Sequence, residues 1–163
     1  DPDSSFPWSD VALEGAVDHD LATRPAVDVE DAYARRLREV RERDRGAGRA
    51  LDGPHRSDLA VLHGPKQTAA RLCSTGEQKA LLMGLLLAHA ELVTARRDSV
   101  APMMLLDEVT AHLDGDRRAA LFEELLRLGT QAWMTGTDRD AFSSLVGRAQ
   151  FWRVSDGFVT RAE

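Results

Sequence analysis

Two carboxylates in succession, Asp107 and Glu108, close the unbroken apolar run Met103, Met104, Leu105 and Leu106. In open α/β sheets, sites form at the carboxyl ends of the strands, which is where this pair falls. A strand end is a costly place for adjacent acids, because burial or crowding disfavours ionisation unless a cation or hydrogen-bond donors offset it. One offset is Mg²⁺, which takes carboxylates together with phosphate oxygens and water. Asp107 is then the metal ligand, and Glu108 the group that orients or deprotonates an attacking water. The plainer alternative is a helix cap or a turn after a strand.

A second chemical stretch is residues 73–79, "CSTGEQK", ahead of the apolar "ALLMGLLLAHAELV". Ser74 and Glu77 have the spacing of a capping box, in which hydroxyl and carboxylate satisfy free amides of the first helical turn. Exposed amides, a Ser hydroxyl and the close-approach residue Gly76 also make an anion site. The two readings are compatible. Asp114, in "VTAHLDGD", has the position of an N-cap for the helix after it.

These residues need strands and helices to hold them. Residues 1–27 contain Pro2, Pro7 and Pro25 and no sustained periodicity, and read as extended or loosely helical. Asp28 opens a helical pattern, "VEDAYARRLREVRERDR", with only a narrow apolar stripe of Ala32, Leu37 and Val40. Its arginines are either salt-bridged on a solvated face or available to DNA. "RGAGRALDGP" is a break rich in Gly, after which the character of the chain changes. After it come a strand "SDLAVLHG" with a turn at Gly64-Pro65, a long buried helix from "CSTGEQK", and a strand "VAPMMLL" covered on both faces. "DGDRRAALFEELLRLG" reads as an amphipathic helix ending at Gly129, and "TQAWMTGT" as another buried strand. "DRDAFSSLVG" reads as a short helix, and "AQFWRVSDGFVTRA" as two edge strands joined at Asp156-Gly157. Strands alternating with helices imply an α/β fold with a mainly parallel sheet flanked by helices. Trp133, Trp152 and His89 read as core residues.

Composition narrows the classes. The 163 residues are 43% hydrophobic and 29% charged with net charge -6, which excludes nucleic-acid binding by overall basicity alone. The single Cys73 allows no internal disulfide and fits a reducing compartment. The most apolar stretch, residues 80–93, is interrupted by His89 and Glu91 and falls short of the roughly 20 residues that span a bilayer. Asp1-Pro2-Asp3 opens no secretory signal, so the expectation is a cytoplasmic protein without membrane contact. The missing initiator Met suggests a processed or cut chain. His19, His55, His63 and His112 share no metal-ligand spacing with Cys73.

Taken as a unit, "LLDEVTAHLD" resembles the Walker B motif and D-loop of ABC-type ATPases, and "STGEQ" is similar to their signature motif. "GPHRSDL" (residues 53–59), residues 73–92, residues 103–114, "QAWMTGTD" (residues 131–138) and the closing "GRAQFWRVSDG" are similar, in that order, to the RecF family of bacterial DNA replication and repair proteins. The resemblance implies the C-terminal part of an ABC-type ATPase head at 51–163, preceded at 1–50 by the end of a helical second lobe. It implies a weak ATPase that binds ATP and Mg²⁺, forms a homodimer on ATP, and acts at gapped or junction DNA with recombination mediator proteins to help recombinase loading. On that resemblance Asp107 holds Mg²⁺ and Glu108 polarises the hydrolytic water. Ser74, Gly76 and Glu77 face a nucleotide held by the other subunit, and Asp114 couples the subunits.

The chain also departs from the wider pattern. No G-x-x-x-x-G-K-[ST] loop is present, and Gly46-Ala47-Gly48 and Gly64-Pro65-Lys66 are too short to cradle phosphates. The family carries that loop near its N-terminus, so a C-terminal portion without ATP affinity of its own is expected. Thr135-Gly136-Thr137 stands where most ABC ATPases place a switch His. A Thr hydroxyl at Thr135 or Thr137 can donate to phosphate or water but takes up no charge. Ser57 stands where many relatives have Asp. Arg56 beside it contacts DNA or nucleotide, or joins a structural ion pair. The alternative function is a non-enzymatic, signature-bearing module that binds a partner subunit or DNA. A transporter ATPase subunit is disfavoured by the absent switch His.

Overall fold

The computed structural model describes residues 4–97, 100–111 and 113–162. The chain divides into two compact units, Ser9–Leu72 and the described residues of Asp1–Trp8 with Cys73–Glu163. His112, in the D-loop-like stretch, lies outside the described residues.

In the Ser9–Leu72 unit, β1 (Ser9–Glu14) runs antiparallel to β2 (Asp58–His63), in register from Ser9↔His63 to Glu14↔Asp58. The short β3 (Thr68–Ala69) pairs with the end of β2. Between β1 and β2 lie α1 (Ala16–Thr23), α2 (Ala26–Glu39) and α3 (Arg41–Ala47). Helix α2 starts directly after Pro25, whose fixed φ suits a helix entry. The single helix expected from Asp28 is thus two helices, parted at Val40 (φ -88°, ψ 0°). The region read as extended or loosely helical contains a full strand and α1.

Arginine-rich α2 and α3 bury only Val29. Their charges turn inward on one acid: Asp52 accepts from Arg36 at 3.1 Å and from Arg43, while Asp44 accepts from the Leu51 amide at 3.3 Å. The salt-bridged alternative is the one seen at Arg36 and Arg43.

In the other unit, α4 (Thr75–Arg96), β4 (Met104–Leu106), α5 (Gly115–Leu128) and β5 (Ala132–Met134) follow in order. A 3₁₀ helix (Asp140–Leu145) and the hairpin of β6 (Phe151–Ser155) and β7 (Phe158–Ala162) complete it. The core joins Ala80, Met83, Leu87 and Ala90 of α4 to Met104, Leu106, Val109, Leu121, Phe122 and Leu125. Phe122 and Phe142 stack with centroids 5.7 Å apart. Asp156 (φ 52°) and Gly157 (φ 79°) form the left-handed pair that a two-residue hairpin turn demands.

The α/β class stands, with a small parallel sheet: β4 and β5 are parallel neighbours paired at Met104↔Ala132, Leu105↔Trp133 and Leu106↔Met134. Every other strand pairing among the described residues is antiparallel. The expectation of a mainly parallel sheet therefore holds only for β4 and β5. Alternation of element types says nothing about which strands share a sheet, and β2 pairs with β1 instead.

Three burial expectations are corrected. Leu105 is 75% and Trp133 54% exposed, so the β4–β5 pair is covered on one face only. Trp152 is 49% exposed on the hairpin, and His89 lies on the open side of α4. Helix α4 buries Ala80, Leu81, Met83, Leu87 and Ala90, while Leu82, Leu86 and Leu92 face outward. No helix among the described residues is long and apolar enough to cross a membrane.

Candidate active site

Strand β4 delivers its two acids to the tip of the parallel pair. The ladder continues past Leu106, whose carbonyl accepts from the Thr135 amide at 3.0 Å, and the Val109 amide returns to the Thr135 carbonyl at 3.3 Å. Between these bonds the chain turns sharply, and Glu108 takes φ 44° in the left-handed region. For a residue with a Cβ that conformation costs about 1–2 kcal/mol, so something must hold it.

Three groups hold it. The Glu108 amide donates to Thr135 Oγ1 at 2.8 Å. The Glu108 carbonyl accepts from Lys79 Nζ at 2.6 Å and from the Ala111 amide at 3.1 Å. The Thr135 hydroxyl in turn donates its one hydrogen to Asp107 Oδ1. Thr135 therefore braces both acidic residues, one through its side chain and the other through its backbone. With its hydrogen given to Asp107, the hydroxyl has none left for a phosphate unless that bond is exchanged.

Asp107 and Glu108 are both exposed at the surface. Beside Glu108 opens a cleft of about 240 Å³, lined also by Thr110, Ala111, Arg118, Gly136, Thr137 and Asp138. Thr137 shares this cleft with Glu108. Gly136 permits this packing: a Cβ there would stand 2.7 Å from the Phe142 ring and 3.1 Å from Thr110 Oγ1. The exposed Asp107 carboxylate and the Thr135 hydroxyl present oxygen donors alone, the type Mg²⁺ takes while keeping several waters and phosphate oxygens. Among the described residues no cluster of three His, Cys, Asp or Glu side chains could hold a metal unaided.

The start of α4 is built as a complete capping box. Ser74 Oγ accepts from the Glu77 amide at 3.4 Å, and the Glu77 carboxylate accepts from the Ser74 amide at 3.0 Å. The Gln78 side chain adds a bond to the Cys73 carbonyl at 3.0 Å. The capping box uses the Ser74 and Glu77 amides and leaves those of Thr75 and Gly76 at the open helix end. Among the described residues no hydrogen bond joins Ser74 or Gly76 to the acids; Lys79 makes the hydrogen bond from α4 to the strand tip.

Asp114 caps α5: its Oδ1 accepts from the Arg117 amide at 2.8 Å and its Oδ2 lies 3.3 Å from Arg117 Nη1. Arg56 belongs to the other unit, where it is exposed and finds no ion-pair partner among the described residues. Its neighbour Ser57 donates to Asp18 Oδ2, a bond that ties the start of β2 to α1.

Two residues escaped the sequence reading. Lys79 carried a weak signal, as one of two lysines among 21 Lys and Arg. Arg118, which lines the Glu108 cleft and donates to the Leu113 carbonyl at 3.2 Å, carried none beyond its place four residues after Asp114.

No family model matches the chain. A protein of Mesorhizobium japonicum is 55% identical to it over 163 residues, covering 99% of the chain and 43% of that relative. One of Brucella abortus is 58% identical over 155 residues, 95% of the chain and 40% of the relative. One of Rhizobium rhizogenes is 57% identical over 157 residues, 96% of the chain and 41% of the relative. All three are named DNA replication and repair protein RecF. The chain spans about two fifths of the length of these relatives.

Proposed function

We infer, from a chain that belongs to the RecF family over the stretch it spans, that the longer protein is an ATP-dependent DNA-binding protein of replication and recombinational repair. It acts in the cytoplasm at gapped or junction DNA and, with mediator proteins, helps load a recombinase. ATP drives it into a homodimer, and slow hydrolysis resets it. Residues 51–163 are the C-terminal part of an ABC-type ATPase head, and residues 1–50 the end of a helical second lobe. One bare face on a two-stranded parallel pair supports that reading, since parallel sheets are stable when covered on both faces.

The observation that carries the proposal is the bracing of Asp107 and Glu108 by Thr135 at the tip of β4. Asp107 would hold Mg²⁺, which supplies charge neutralisation for the phosphates. Glu108, at the mouth of its cleft, orients the attacking water and takes up its proton. Glu108 lines the cleft while Asp107 is held by Thr135, so two acids in sequence serve separate roles. Ser74 and Gly76, rigid at the end of α4 because Glu77 locks the cap, present hydroxyl and amide to the phosphate of a nucleotide bound by a second copy. Asp114 couples the two copies, and Thr137 contacts phosphate or water in the cleft.

In the full-length protein, Glu108→Gln is expected to lower ATP hydrolysis about 10²–10⁴-fold while the ATP-dependent dimer persists. Steady-state ATPase assays and light scattering with ATP test this. An unchanged rate, or loss of the dimer, contradicts the roles assigned to these residues.

A further inference from the structure

We propose that Lys79 is the positioning residue that ties α4 to the strand-end acids, holding the Glu108 peptide so that movement at the Ser74 end of the helix reaches the Glu108 carboxylate. The proposal rests on the reading of Asp107 and Glu108 as the hydrolytic pair.

The Glu108 peptide unit is gripped from two directions. Its amide is held from β5 by Thr135, and its carbonyl from α4 by Lys79 at 2.6 Å. A further bond to that carbonyl, from the Ala111 amide at 3.1 Å, is local to the turn. Among the described residues Lys79 is the helix side chain that donates to this residue, held at φ 44°. A left-handed, non-glycine residue relaxes toward ordinary backbone when its restraints are removed, and its side chain swings with it.

The lysine is itself well placed to transmit a shift. It lies two residues past Glu77 of the capping box and precedes Ala80, which is fully buried, with Met83 buried a turn later. The backbone beneath it is fixed in the core, while its half-buried chain reaches the turn. A displacement of the first turn of α4 on meeting an anion reaches the Glu108 carbonyl through this bond, beside the core packing of Ala80 and Met83 with Leu106 and Val109.

The test compares the full-length protein with its Lys79→Met, Lys79→Arg and Glu108→Gln variants. Lys79→Met is expected to lower kcat about tenfold with KM for ATP within about twofold, since a misaimed base loses rate and not substrate affinity. Lys79→Arg, which keeps a donor, is expected to recover most of that loss. Hydrogen exchange without nucleotide is expected to speed up at the Glu108 and Ala111 amides in Lys79→Met. Wild-type kcat and exchange in Lys79→Met, or a Lys79→Arg as impaired as Lys79→Met, overturns the proposal. If Lys79→Met does not fold, Lys79→Gln takes its place under the same criteria. Unchanged exchange alongside an inactive Glu108→Gln sinks the proposal alone. Faster exchange alongside a fully active Glu108→Gln sinks the ATPase reading, and reduces Lys79 to a structural tie.

Discussion

At the scale of single residues, Thr135 decides how the two acids are presented. Its hydroxyl donates to Asp107 and accepts from the Glu108 amide, so both halves of its hydrogen-bonding capacity are in use. Replacing it with Val keeps the shape and removes both bonds. Such bonds are worth roughly 0.5–1.5 kcal/mol each and less at an exposed position, so the fold should persist. Full-length Thr135→Val is expected to lose at least tenfold in ATP turnover, whereas Thr135→Ser keeps most of it. A Val variant with wild-type turnover would show that the brace is incidental. Adjacency in "LLDE" made the acids easy to find in the sequence. Their brace was not, because it joins residues 28 and 27 apart that meet only through the β4–β5 register.

At the scale of elements, local signals were legible and partner choice was not. The Ser74–Glu77 capping box, the Asp114 cap, Gly129 in the left-handed C-cap position and the Asp156-Gly157 turn all stand where short-range spacing put them. Strand β1 offers only the short Val11/Leu13 alternation and is exposed along nearly its whole length, so its pairing with distant β2 is what defines it. Trp133 looked like a core residue because hydrophobicity reports that a strand wants covering, and says nothing of whether the cover is present.

Asp52 illustrates the same point for charge. The hydrogen bond from Arg43, reinforced by the nearby Arg36 and Arg43 charges, holds its carboxyl below the usual range. A depressed folded-state pKa stabilises the fold above the ordinary carboxylate pKa, and this contribution is lost as pH falls through the depressed value. Wild-type and Asp52→Asn chains should therefore differ in thermal midpoint at neutral pH and converge in acid. Midpoints that differ equally at both pH values would mean that the Arg36–Asp52–Arg43 cluster does not act through charge.

At the scale of the whole molecule, two units with separate sheets replace the single sheet that alternation implied. The bare side of the β4–β5 pair, with Leu105 paired to Trp133, presents apolar surface of the kind that marks an interaction face. Leu105→Lys in the 163-residue chain is expected to lower binding of a hydrophobic dye and to shift stability by no more than about 0.5 kcal/mol, since the side chain is already in solvent. A loss of several kcal/mol in denaturant titration would show that Leu105 is packed after all.

The long register between β1 and β2 has a consequence in time. All three helices α1, α2 and α3 lie in the chain between the paired strands. Helices form within about a microsecond from local contacts, whereas the ladder must wait for its distant ends to meet. Closing the β1–β2 ladder across the three intervening helices is therefore expected to be the slow step in forming the Ser9–Leu72 unit, a point that stopped-flow refolding would check.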